Sequence, residues 1–354
     1  MARRAHLVGS IPGASAADAM EAACGRLAPY LLTLSDGETG SRAGWIGVCL
    51  RNLADNPDLE LVGGVRDFAD YETVLRYQLP PDGELTVSNL EACLPYEAAF
   101  LASFGTFKDV RARHGRPDLP FQVGIPSHLD LSVDAFGFPA GFDPRYYQPS
   151  LHATASQVRK IAAAGGSDVL FQIETPAALV SVASAAAGET GETARQTARM
   201  VAELPAAAPA GTRFGVHLCL GDLNHKAMAT MADITPAVLM ANEVAAAWPP
   251  DRSLEFIHVP FAAAQEPPTF DPSFYDPLTQ LDIPDSVRFV AGCIHESLSA
   301  EQQVDLLRLI ESRVGREVDV AAACGLGRRP DVSQAWDAME KALLLVQAAP
   351  DPRP

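Results

Sequence analysis

The chain has 354 residues, 48% hydrophobic and 20% charged, the balance of a globular protein with a large core. Its formal net charge of −17 repels phosphate backbones and anionic lipid, which argues against nucleic-acid and membrane-surface partners. No apolar run reaches the ~20 residues that span a bilayer, and MARRAHLVGSIPG lacks the apolar stretch of a signal peptide, so a cytoplasmic location is expected.

Short apolar runs alternate with helix-period segments from one end of the chain to the other. Strands are predicted over residues 6–10, 30–36, 121–126, 168–174, 213–219, 253–259, 286–292 and 317–324. Several are continuously apolar, the pattern of parallel strands covered on both faces. Between them, residues 297–315 (SLSAEQQVDLLRLIESRVG) combine a Ser cap, an early acid, apolar spacing of three and four, and a terminal Gly. YQPSLHATASQVRKIAAAGG and KAMATMADITPAVLMANEVAAAW repeat that order of signals. Alternating β and α units predict an α/β fold, a single parallel (β/α)8 TIM barrel spanning residues 1–354 as one domain.

Two stretches interrupt the rhythm. Residues 52–118 hold LELVGGV, a polar stretch, ELTVSNL and an Ala/Phe-rich helix, read as an insertion between strands two and three with a hairpin over the mouth. Residues 260–285, rich in proline and aromatics including Phe270, Phe274 and Tyr275, predict a long loop after strand six that acts as lid or substrate wall.

In such barrels the chemistry stands at the C-terminal ends of the strands. Those ends carry Ser10, Asp36 and Glu38, Glu174, His217 and Cys219, His258, His295 and Glu296, and Cys324. Residues i and i+2 of a strand share a face, so His217 and Cys219 can address one ion, and Cys324 can reach it from the last strand. An imidazole and two thiolates suit Zn²⁺ with one position left open. The six cysteines are not a disulfide framework; Cys24, Cys49, Cys93 and Cys293 read as packing residues. His6, His128 and His225 read as structural histidines, Trp45 as helix packing, and Arg328 with Arg329 as an anion fork or a solvated pair.

HLVGSIPG, SDGETG, FQIETPAAL, GVHLCLGDLNHK, FIHVPF, CIHE and AACGLGRRP together resemble the catalytic barrel of cobalamin-independent methionine synthase and its short single-barrel relatives, within the methionine synthase/uroporphyrinogen decarboxylase-like superfamily. The resemblance places His217, Cys219 and Cys324 on the family's zinc ligands. His258 falls where the family has a glutamate ligand, as a fourth ligand or a group behind the ligands. His295 falls on the family's proton-donating histidine. Ser10, Glu38 and Glu174 fall where the amine and carboxylate of homocysteine are held, although Glu174 replaces an Asp and Thr175 a Glu.

The resemblance implies a zinc-dependent methyltransferase that moves a methyl or alkyl group to a small thiol such as homocysteine, as in methionine biosynthesis. Its partners would be the thiol acceptor and a methyl donor, methyl-folate or a methyl-corrinoid protein. The family's folate-stacking tryptophan is not found in the strand-three region, GIPSHLDL. Alternatives on the same barrel are thiol transfer to an epoxide, a lyase or decarboxylase, and a non-catalytic zinc- or corrinoid-associated binding protein.

Overall fold

The computed structural model describes residues 2–349. Its strands are β1 (Leu34–Ser35), β2 (Glu60–Gly63), β3 (Arg76–Gln78), β4 (Phe121–Pro126), β5 (Val169–Thr175), β6 (Arg213–Leu218), β7 (Ser253–Pro260), β8 (Arg288–Ile294) and β9 (Asp319–Ala322). β1 and β4 through β9 form one seven-stranded parallel sheet in chain order, while β2 and β3 pair separately and antiparallel. Eleven α-helices connect and cover these strands among the described residues.

The first predicted strand, residues 6–10, does not form. The chain there meets the sheet at Ala5, which makes isolated parallel bridges to Leu31 on one side and Val320 on the other. Beyond Ala5, side chains take over from the ladder: the Gln122 amide donates to the carbonyls of Leu7 (3.2 Å) and Val8 (2.6 Å), and the Gln172 amide also donates to Val8. The second predicted strand, 30–36, shortens to Leu34–Ser35.

Period-two alternation sorts the sheet into two faces. Phe171, Ile173, Phe214, Val216, Ile257, Val259 and Cys293 join the main core with the helices. Leu170, Phe256, Val290 and Ala321 form a separate cluster on the opposite face. That inner face continues toward the strand ends through Gln172 and Glu174 on β5, His217 on β6 and His258 on β7. Register sets Glu174 beside His217 and His217 beside His258.

The helical signals translate locally. Ser299 and Gln302 form a reciprocal capping box on helix Ala300–Val314, which stops at Gly315 with φ 78°. Residues 226–234, predicted as helix, form a loop instead, and the helix begins at Thr235 with Pro236 in its first turn.

The insertion forms a hairpin, but its second arm is Arg76–Gln78 rather than ELTVSNL. Asp58 accepts from the backbone of Thr86 (2.7 Å) and the side chain of Asn89 (3.0 Å), turning ELTVSNL into the start of helix Val87–Ala92. The hairpin tip docks on the loop after β6: Tyr71 Oη accepts from Leu223 N (2.9 Å) and donates to Lys226 O (3.2 Å). In the loop after β7, Tyr275 is fully buried and stacks on Phe261 at 5.7 Å, pinning a 3-10 segment, Pro272–Gln280.

Candidate metal centre

His217 leaves the end of β6 with its ring on the inner face, and Cys219 follows two residues later. Cys324 lies two residues beyond β9. One donor atom from each of the three lies within 4.8 Å of the other two, and all three residues are buried. Cys219 Sγ is 3.7 Å from Cys324 Sγ, which is 3.8 Å from His217 Nε2.

The tautomer of His217 follows from what stands behind it. His258 Nε2 lies 3.0 Å from the carbonyl oxygen of Ala322, which can only accept, so that nitrogen carries the proton. His258 Nδ1 is then an acceptor, and His217 Nδ1, 2.8 Å away, must donate to it. His217 Nε2 is left with a free lone pair toward the two sulfurs, the arrangement a metal-binding imidazole needs. Burial lowers the pKa of His258 to about 4, and burial followed by the His258 ring holds His217 well below its ordinary value, so both rings are neutral. Both ring nitrogens of His258 are therefore engaged within the protein.

The sulfurs divide a proton unequally. Cys324, hydrogen-bonded to Cys219 and, against the cost of burial, favoured by Arg328 Nη1 at 3.0 Å, is held below the usual thiol range. The Cys324 sulfur, and after it burial, push Cys219 well up. Gly221 N donates to Cys219 Sγ at 3.3 Å. Two soft sulfur donors, one of them held toward its thiolate, beside an unprotonated imidazole nitrogen fit a zinc ion.

Two carboxyl groups stand next to this group. Asp36 Oδ1 accepts from Glu38 N (3.0 Å) and holds Glu38 at φ 47°, while Gln172 Nε2 donates to Glu174 Oε1 (3.1 Å). Both approach Gly124, where a Cβ would meet Glu174 Oε1 at 2.6 Å and Glu38 Oε1 at 2.8 Å; only glycine leaves room for the pair. Burial raises both pKa values, with the Glu38 charge adding to the rise at Glu174 and the Arg328 charge opposing it at both. Ser10 is tied to the loop after β9: its carbonyl accepts from Leu326 N (2.8 Å) and Gly327 N (3.1 Å), and its Oγ from Gly327 N (3.2 Å).

A cavity of about 420 Å³ opens above His217, Cys219, Cys324 and Glu174. Its wall comes from the insertion and the segment before it, through Trp45, Leu50, Phe68, Tyr71, Val74 and Arg76, and from Asp222, Met228 and Arg328. Trp45, predicted as helix packing, packs against the core from a position at φ 51° ahead of helix Gly47–Asn52 and also lines this space. Phe270, Phe274 and Tyr275 do not line it; the loop after β7 borders a separate cavity of about 340 Å³.

His295 lies outside the cavity, in a second group with His225 and Glu296. Ser297 N donates to its Nδ1 (3.2 Å), and its Nε2 reaches Ala264 O (3.2 Å). His225 Nε2 lies 2.7 Å from Glu296 Oε1, and the carboxylates of Asp222 and Glu296 raise its pKa to about 9. Glu296, favoured by His225 and Arg329 against the cost of burial, is lowered to about 2. Glu255, the acid nearest His258 in sequence, pairs instead with Arg213 at 2.5 Å. His6 is held by Gln172 Oε1 at 2.8 Å.

No protein-family model matches the chain, and no curated protein matches its sequence. Among solved structures it is similar to a candidate vitamin-B12-independent methionine synthase from Listeria monocytogenes. The two are 13% identical with a TM-score of 0.50, over 92% of this chain and 82% of that one. A candidate lyase/mutase from Burkholderia cenocepacia J2315 is 12% identical with a TM-score of 0.37, over 92% of this chain and 79% of that one. At such identities the Listeria likeness is one of fold. No helix among the described residues is long and apolar enough to cross a membrane.

Proposed function

We propose that this chain is a zinc-dependent transferase that alkylates, and in particular methylates, a small thiol. The supporting observation is the convergence of His217 Nε2, Cys219 Sγ and Cys324 Sγ at the floor of a cavity, with the tautomer of His217 set by His258. We read the fold as a one-domain (β/α)8 barrel whose remaining stave is the segment bridging Leu31 and Val320 through Ala5.

In this reading His217, Cys219 and Cys324 hold the ion, and His258 orients His217 rather than binding. A zinc ion at this position supplies the Lewis acidity that keeps a substrate thiol deprotonated near neutral pH. Glu38 and Glu174, with Ser10 behind them, receive the amino-acid end of a substrate such as homocysteine. The insertion excludes water above the thiol. His295, with both ring nitrogens engaged away from the cavity, supports the Ala264 loop.

Purified protein is expected to hold one zinc per chain, and Cys219→Ser or Cys324→Ser to lose it. In the cobalt-exchanged protein, homocysteine should shift the sulfur-to-metal absorption as a further thiolate binds. Stoichiometric zinc with a spectrum indifferent to thiols would mark a structural site and end the proposal.

A further inference from the structure

Above the metal-binding group the cavity has unfilled hydrogen-bonding capacity. The Asp222 side chain is 1% exposed and lines the cavity, yet neither carboxylate oxygen has a hydrogen-bond partner. Its nearest cation is His225 Nδ1, 3.5 Å away and itself without a hydrogen bond. Elsewhere on the wall, Asp134 Oδ2 is also buried and unpartnered. A buried carboxylate without donors is costly unless something in the cavity completes it.

The cations of the wall have their own partners. Arg328 Nη1 bonds Cys324 Sγ at 3.0 Å, Arg329 Nη1 bonds Gly325 O at 2.9 Å, and Arg76 Nη1 bonds Asp134 O. His225 is shared between Asp222 and Glu296, and Arg329 also lies 3.5 Å from Glu296. The carboxylate oxygens of Asp222 and Asp134 are thus open acceptors beside two open donors, Trp45 Nε1 and Arg329 Nε, and the same wall presents the rings of Trp45, Phe68 and Tyr71 and the thioether of Met228. Carboxylate and aromatic faces together are the chemistry that receives an onium cation.

We propose that the alkyl donor is an onium compound, a sulfonium or a quaternary ammonium, with its cationic centre against Asp222 and the aromatic wall. The inference rests on the thiol-alkylation reading and supplies its second substrate. The acceptor thiol loses its proton to solvent on binding. Its sulfur then bonds the methyl carbon while the C–S⁺ or C–N⁺ bond breaks, and that electron pair stays with the departing heteroatom. The products are a neutral thioether and a neutral thioether or tertiary amine, so no proton is needed at the leaving group. That suits a cavity whose lining histidine, His217, turns its free nitrogen toward the sulfurs, with His295 outside. The reaction also annihilates a charge pair, which a water-poor cavity favours.

The test is calorimetric titration of the zinc-loaded full chain without thiol. S-methylmethionine is compared with its uncharged carbon isostere homoleucine, and glycine betaine with 3,3-dimethylbutanoate. At least one onium is expected to bind about tenfold or more tightly than its isostere, and the pair that shows it distinguishes sulfonium from ammonium. In Asp222→Asn that preference should shrink to about twofold or less, while the cobalt-exchanged variant keeps its spectral response to homocysteine. If both isosteres bind wild type as well as their onium partners, the proposal falls, and that comparison needs no variant. Loss of the homocysteine response in wild type would instead refute the thiol-alkylation reading beneath it.

Discussion

Replacing His258 with Ala tests the hydrogen-bond chain behind the metal-binding group. The substitution strips the acceptor from His217 Nδ1, 2.8 Å away, and the donor from Ala322 O, 3.0 Å away, both in a fully buried position. Each orphaned group costs about 1–3 kcal/mol, so folding stability should drop by about 2 kcal/mol or more. The imidazole of His217 also becomes free to place its proton on Nε2, the nitrogen the metal needs. Removing such an orienting partner typically weakens a metal site about 10- to 100-fold, or about 1.4–2.7 kcal/mol of binding free energy. The assay is competition for zinc against a chelator of known affinity, beside urea unfolding of the zinc-free protein. His258→Gln, which restores an acceptor, should recover most of the affinity. The d–d spectrum of cobalt-loaded His258→Ala should keep the wild-type coordination number. A zinc affinity within about twofold of wild type would refute the orienting role, and a spectrum that has lost a nitrogen ligand would show His258 on the metal.

The Asp222–His225–Glu296 network sets a pH window. His225, raised from 6.5 to about 9, contributes stability that is complete below pH 6.5 and fades as pH rises through 9. Glu296, lowered from 4.5 to about 2, contributes stability that is complete above pH 4.5 and fades as pH falls through 2. His225→Gln should therefore flatten the alkaline limb of a Tm-against-pH curve; an unchanged limb would show that His225 does not gain its proton on folding. Gly124→Ala puts a methyl where the carboxyl ends of Glu174 and Glu38 now sit, so both must shift. It should cost about 1–3 kcal/mol in urea unfolding and weaken amino-acid thiol binding more than zinc binding; equal loss of both would detach the carboxyl pair from substrate. Tyr71→Phe leaves the Leu223 N–H without its acceptor, so limited proteolysis should cut faster within residues 60–76. An unchanged cleavage rate would mean that the hairpin is held by other contacts.

What the sequence disclosed was what strand periodicity controls. His217 stands near the end of β6 and Cys219 one residue past it, two apart as strand periodicity requires, and Cys324 follows β9 at the same end of the sheet. The pairing of His217 with His258 was accessible too, since both sit near the ends of successive parallel strands in matching register. Long-range side-chain bonding was not. Nothing local to residues 6–10 announces that Gln122 and Gln172 will occupy the carbonyls of Leu7 and Val8. That Trp45 lines the cavity as well as packing on the core was not legible, because its left-handed backbone leaves no trace in hydrophobic spacing. Tyr71 finds Leu223 across 152 positions, a contact set by docking of the insertion. The loop after β7 was proline- and aromatic-rich as an active-site lid would be, but Tyr275 spends that aromatic surface on burial.

The bridges at Ala5 tie distant parts of the chain together. Ala5 precedes every strand of the main sheet, yet one of its two neighbours, Val320, lies in the last of them, β9. Cys324 arrives four positions later still. Without that stretch His217 and Cys219 stand apart from their third companion, so one short run of chain completes both the Ala5–Val320 bridge and the three-residue donor group.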